Sequence, residues 1–154
     1  HRQASQADDA QAGRRPKQQC ISDVYHVTDE ALGSGVNGFV MAAVHRESGR
    51  KVAIKTVDLS TCCPETRRDV QREIHIQSSL QHPKVARLLE LYVSRANENL
   101  CLVMEHLEGG DVFEHFKEAS RVFSEDEAIS LIKQVLQAVE YLHEQGVVHR
   151  DIKL

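Results

Sequence analysis

Near its end the chain carries His149-Arg150-Asp151-Ile152-Lys153. A carboxylate such as Asp151, set beside a hydroxyl group, can orient it and accept its proton, and a lysine two residues on can stabilise charge on a transferring phosphoryl group. Far upstream, Gly33-Ser34-Gly35-Val36-Asn37-Gly38 reads G-x-G-x-x-G. Residues without bulky side chains let backbone N–H groups close on phosphate oxygens. Between the two lies Val52-Ala53-Ile54-Lys55, a lysine on an apolar strand. A cation enclosed in this way needs a negative partner. Glu73 offers one, because helical spacing puts it on the apolar face of Val70 and Leu80. The expected pair is therefore a buried one. Together these residues could bind, position and transfer a phosphoryl group.

Each motif has a plainer reading when taken alone. The triplet His149-Arg150-Asp151 could be a surface ion cluster. Lys55 could be an edge-strand lysine facing water. Glu73 could be solvated among Arg67, Arg68, Asp69 and Arg72. The glycine pattern also occurs in dinucleotide-binding folds, where it opens a helix and an acidic residue follows about twenty positions on. Asp58 sits at that distance, but the β-like run after Gly38 leaves no room for the helix. The four motifs in this order and spacing outweigh the plainer readings.

The elements that must hold them are legible in the pattern. Residues 25–57 read as three antiparallel strands, with the glycine run in the first turn and Ser48-Gly49 in the second. The stretch 65–80 reads as a helix with Pro64 in its first turn, Thr61 as its cap and Pro83 beyond its end. Two further strands follow, "VARLLELYVS" and "LCLVME", joined by the polar turn "RANEN". Gly109-Gly110 interrupts the chain before a short helix at "DVFEHF". The strongest helix runs from Ser124 to about Gln145. Ser124 and Glu127 make a capping box, and Gly146 is the stop. Its apolar stripe is Ile129, Ile132, Val135, Leu136, Val139 and Leu142. The fold class is α+β: a small sheet unit followed by a helical one.

Composition bounds the rest. The chain has 154 residues, 41% hydrophobic and 27% charged, with a net charge of -4. That balance speaks against nucleic-acid binding, which draws on a basic excess. No apolar run reaches the ~20 residues of a membrane span. Cys20, Cys62, Cys63 and Cys101 fit no zinc spacing, which predicts reduced thiols in the cytosol or nucleus. Residues 1–24 are expected to be a disordered tail, with Arg14-Arg15-Pro16-Lys17 a solvated basic patch. Because residue 1 is His rather than Met, the natural N-terminus is expected to lie further upstream.

From about Tyr25 to Leu154 the chain resembles the first half of a eukaryotic protein kinase domain. The resemblance implies a two-lobe fold: a complete small lobe of five antiparallel strands and one helix over residues 25–104, a hinge at 105–110, and the start of a helical large lobe at 111–154. It implies ATP and Mg²⁺ as cofactors and a protein as substrate. Gly33, Ser34, Gly35, Gly38 and Val40 would cover the nucleotide, Ala53 would line the adenine pocket, and Lys55, paired with Glu73, would hold the α- and β-phosphates. Met104 falls at the gatekeeper position, Glu105 and Leu107 at the hinge, Asp111 at the ribose contact, and Asp151 at the catalytic carboxylate. Lys153 in D-x-K is the serine/threonine form. The runs "LVMEHLEGGDVFEHF" and "AISLIKQVLQAVEYLHEQGVVHRD" look most like calcium/calmodulin-regulated and calcium-dependent kinases, implying calcium-linked regulation from regions not present. Two departures from the family pattern are Lys84 in place of Asn and Leu154 in place of Pro. The metal ligands are expected beyond Leu154, so residues 1–154 alone are expected to be inactive. A natural truncated, inactive binding module is the competing reading.

Overall fold

The computed structural model describes residues 16–35, 38–94, 98–118 and 122–153. Val36, Asn37, residues 95–97 of the "RANEN" turn, Leu154 and residues 1–15 of the expected tail lie outside the described residues. Two compact units divide the chain. One is His1–Ser79 with Arg87–His106, and the other is Leu80–Ala86 with Leu107–Leu154.

The first unit is built on a sheet of β1 (Tyr25–Gly35), β2 (Gly38–His45), β3 (Lys51–Asp58), β4 (Leu88–Val93) and β5 (Asn99–Glu105). The order is β1-β2-β3-β5-β4, and every neighbouring pair is antiparallel. Alternation along each strand splits its apolar residues between two cores. Val52 and Ile54 of β3 join Tyr25, Ala43, Tyr92, Cys101 and Val103 in one cluster. Val57 joins Leu88, Leu91, Leu100, Leu102 and Val70 in the other. Val70 lies on α2 (Pro64–Ser79), so α2 closes this second face. Burying a side chain of that size stabilises by about 1.5–3 kcal/mol. The β2–β3 turn closes through the His45 N–H on the Arg50 carbonyl at 2.9 Å, with Gly49 at a φ of 69°.

The start of α2 differs from expectation. Thr61 does not cap it; its hydroxyl donates to the Asp58 carbonyl at 3.2 Å. The thiol of Cys63, next to Pro64, instead receives the Thr66 N–H at 3.5 Å and lies 3.1 Å from the Thr66 hydroxyl. Those Thr66 contacts hold the Cys63 thiol below its ordinary pKa. Cysteine replaces the usual oxygen cap because it immediately precedes the first-turn proline.

The tail expectation is corrected where residues are described. Ile21–Val24 form a short helix, α1, whose Ile21 and Val24 pack on the Tyr25 cluster. Lys17 forms a parallel bridge to Tyr92 on the edge strand β4. Its N–H donates to the Leu91 carbonyl at 2.8 Å, and its carbonyl accepts from the Val93 N–H at 3.1 Å. Lys17 Nζ lies 2.6 Å from Glu90 Oε1, while the Tyr92 and Tyr25 hydroxyls donate to Glu90 Oε2 at 2.7 and 3.1 Å. Burial, and then the Glu90 charge, push the Tyr25 hydroxyl up to about 12. Burial alone would raise the Glu90 carboxyl, but the hydrogen bonds from Lys17, Tyr92 and Tyr25 outweigh it and hold it below its ordinary value. A carboxyl lowered on folding contributes stability above its unfolded pKa, and that contribution fades as pH falls through the folded value. Glu90→Gln is therefore expected to cost about 2 kcal/mol at pH 7 and progressively less below about pH 4. Denaturant titrations at both pH values measure it. A cost independent of pH would show that the Glu90 charge is not what stabilises.

The second unit holds α3 (Val112–Glu118) and α4 (Glu125–Glu144). Ser124 caps α4 in the expected box: it accepts the Glu127 N–H at 3.3 Å, while the Glu127 carboxylate accepts the Ser124 N–H at 3.0 Å. At the other end Gly146, with a φ of 71°, donates to His143, and Val147 donates to Leu142, a Schellman stop. Leu142 is buried, whereas Ile129, Ile132 and Leu136 are exposed. The segment Leu80–Ala86 groups with these helices rather than with the small lobe assigned to residues 25–104, because Tyr141 holds it. The Gln81 N–H donates to the Tyr141 hydroxyl at 2.7 Å, and the His82 ring stacks on the Tyr141 ring. No helix among the described residues is long and apolar enough to cross a membrane.

Candidate active site

The glycine run takes in the end of β1 and the start of β2. Gly33 pairs with Val40, Ser34 with Phe39, and Gly35 with Gly38. Gly38 has a φ of 131°, and a Cβ there would run into the Thr56 carbonyl oxygen of β3. Only glycine fits that close approach. Gly33 has open space where a Cβ would go. The two glycines thus serve differently: Gly38 lets the start of β2 lie against β3, and Gly33 has open space on its Cβ side.

Register then sets the lysine. Val40 of β2 lies opposite Lys55 of β3, and Lys55 lies opposite Leu102 of β5. Strand alternation directs Ala53 and Lys55 away from the Val52–Ile54 face. Lys55 Nζ lies 3.1 Å from Glu73 Oε1 of α2. The expected shared burial is corrected here. The Lys55 side chain is 17% exposed, but that of Glu73 is 49% exposed. The helix face carrying Glu73 passes beyond the edge of the core, which ends at Val70 and Ile74. With one partner half in water the pair stabilises by only about 0–1 kcal/mol. Its consequence is positional: the ammonium is held at one place beside the glycine turn's strands.

Ala53 is buried between Ala42 and Met104 in the register. Met104 packs at the margin of the α2-side core, and Gln77 Nε2 of α2 lies 3.6 Å from its sulfur. Gln77 is absent from the sequence-derived site. Its position four residues after Glu73 puts it on the same helix face, and that spacing is the signal that could have found it. Glu105 ends β5, opposite Val52, and its N–H donates to the Arg87 carbonyl at 3.0 Å. These residues, from the glycine turn to Glu105, all belong to the first unit.

Leu107, Asp111, Asp151 and Lys153 belong to the second. Leu107 is 64% exposed. Asp111 precedes α3, and its carboxylate accepts the Glu114 N–H at 3.3 Å. Lys153 Nζ lies 3.2 Å from Asp151 Oδ2, both side chains being open to solvent. The Asp151 N–H donates to His149 Nδ1 at 3.3 Å. Between them Arg150 has a φ of 66°. A non-glycine residue in the left-handed region costs of order 1–3 kcal/mol, a strain that clusters at functional loops. Sequence reasoning had no signal for it. Among the described residues no group of three or more His, Cys, Asp or Glu side chains could hold a metal ion.

An antiparallel sheet whose strand lysine is ion-paired to a helix glutamate, beside a glycine-rich turn, is the small lobe of a protein kinase. The chain belongs to that family: the model described as "Protein kinase domain" matches residues 25–154. A probable myosin light chain kinase of Dictyostelium discoideum is 42% identical over 134 residues, covering 86% of this chain and 27% of that protein. Calcium/calmodulin-dependent protein kinase type 1 of Macrobrachium nipponense is 37% identical over 150 residues, covering 97% of this chain and 41% of that protein. Human MAP kinase-activated protein kinase 2 is 34% identical over 145 residues, covering 92% of this chain and 35% of that protein. The chain thus spans about a third of the length of the curated relatives it matches. The family is one of enzymes that use ATP and Mg²⁺.

Proposed function

We propose that the protein carrying this chain transfers the γ-phosphate of ATP to serine and threonine hydroxyls of protein substrates. The observation that carries the reading is the 3.1 Å contact of Lys55, on the strand paired with β2, with Glu73 of α2. Lys55 supplies a held positive charge for the α- and β-phosphates. Gly38 lets the start of β2 lie close against β3, and Ala53, Met104 and Glu105 bound the space for adenine. Asp151 orients the substrate hydroxyl, and Lys153 stabilises charge beside it. Mg²⁺, when bound, would neutralise charge developing on the phosphate oxygens. No described residue is assigned to the metal. Lys153 favours serine and threonine over tyrosine, and the resemblance to calcium/calmodulin-dependent kinases supports calcium-linked regulation in the whole protein, in a cytosolic or nuclear setting.

The test is phosphoamino-acid analysis after incubating the whole protein with Mg²⁺, radiolabelled ATP and a mixed protein substrate. Label in phosphoserine and phosphothreonine, lost in Asp151→Asn, is the expected result. Label in phosphotyrosine would overturn the residue preference, and full label in Asp151→Asn would remove that carboxylate from its role.

A further inference from the structure

Glu73 can meet Lys55 only if α2 is held at one position on the sheet. The packing of α2 is apolar, through Val70 and the partly buried Ile74, and apolar contact is non-directional. Among the described residues, three directional side-chain contacts join α2 to the rest of its unit: Glu73 to Lys55, Gln77 to the Met104 sulfur, and Arg67 to Glu98. The last lies outside the proposed nucleotide site. Arg67 Nη2 lies 2.7 Å from Glu98 Oε2, and Arg67 Nε donates to the Cys62 carbonyl at 3.4 Å. Glu98 stands just before β5, and its own carbonyl accepts the Leu59 N–H at 3.0 Å. Leu59 directly follows β3. Through its backbone Glu98 thus holds the end of the strand that carries Lys55. Through its side chain it holds the start of the helix that carries Glu73.

The backbone at Glu98 is an independent observation. Its φ is 52°, in the left-handed region where glycine is the ordinary occupant. Among the described non-glycine residues only Arg150, in the proposed catalytic loop, shares that region. A glutamate there carries strain that glycine would relieve, and such strain persists where the surroundings over-determine it. The carboxylate's contact with Arg67 is what a glycine would lack.

We infer that Arg67 and Glu98 are positioning residues for the Lys55–Glu73 pair, with Glu98 holding β3 and α2 to a common point. The inference rests on Lys55 acting at the phosphates. The two side chains are 43% and 56% exposed, so the contact biases the placement of α2 by no more than about fivefold.

The whole protein is compared with Arg67→Ala, Glu98→Gly and the double variant by amide hydrogen exchange over α2, thermal melting and initial rates of label transfer from Mg-ATP. Glycine at 98 keeps the carbonyl that Leu59 uses. Exchange across residues 70–77 is expected to quicken about threefold in each single variant and no further in the double, because either change breaks the same contact. Label transfer should fall about threefold in step with it, with KM for the protein substrate unchanged. Melting of Glu98→Gly should stay within about 3 °C of the parent, since relief of strain offsets the lost ion pair. That split separates positioning from support, because a merely structural residue would lower melting and transfer together. Unchanged exchange in both single variants, additive losses in the double, full transfer despite quickened exchange, or a larger fall in the melting of Glu98→Gly would each overturn the inference. If the parent itself transfers no label, the kinase reading fails, and exchange over α2 alone decides whether Arg67 and Glu98 hold the helix.

Discussion

Replacing Lys55 with methionine in the whole protein is expected to lower phosphoryl transfer by about 10²–10³-fold while the protein stays folded. The two halves of that expectation have different causes. The side chain is mostly enclosed, and methionine fills nearly the same volume, so packing survives. Glu73 loses its partner but is half in water, where solvent screens the charge left behind. The lost ion pair therefore costs only about 0–1 kcal/mol of stability, a shift of a few degrees in the melting temperature. The rate falls much further, because a fixed positive charge beside the phosphates acts where water is excluded. Initial rates of label transfer, set beside a thermal melt, separate the two. Undiminished transfer by the folded variant would remove Lys55 from its role, and unfolding would make it a structural residue instead.

The largest stability effect is expected at Gly38. Gly38→Ala forces a Cβ against the Thr56 carbonyl oxygen at a backbone angle that L-residues avoid, which together cost about 2–4 kcal/mol. Neither atom can swing away, since both belong to paired strands. Gly33→Ala meets nothing and should stay within about 0.5 kcal/mol. Urea denaturation of the two variants gives the comparison. Equal costs would show that the turn relaxes away from β3.

Much of this was legible because strands and helices impose short periods. Alternation placed Ala53 and Lys55 together, and helical spacing placed Glu73 opposite them. The box at Ser124 and the glycine stop at Gly146 are local chemistry, and both are in place. What stayed hidden depends on distance or depth. A helical face shows which way Glu73 points, but not how far the core extends beneath it. The tie of Gln81 and His82 to Tyr141 joins residues about sixty apart, with no pattern between them. Lys17 binds an edge strand through one residue, too short to register as periodicity. The cap at Cys63 was missed because thiols are seldom considered beside oxygens.

The Lys17 bridge has a consequence for how separate copies of this protein behave in solution. An edge strand with free amides and carbonyls is a template for any other chain that can lie extended beside it. At β4 the Leu91 carbonyl and the Val93 N–H are already taken by the protein's own backbone, and a lysine side chain is posted over Tyr92. Trimming the N-terminus to Gln18 would uncover those groups without touching any residue of the proposed nucleotide site. Solubility during preparation, rather than turnover, would be the first property to suffer.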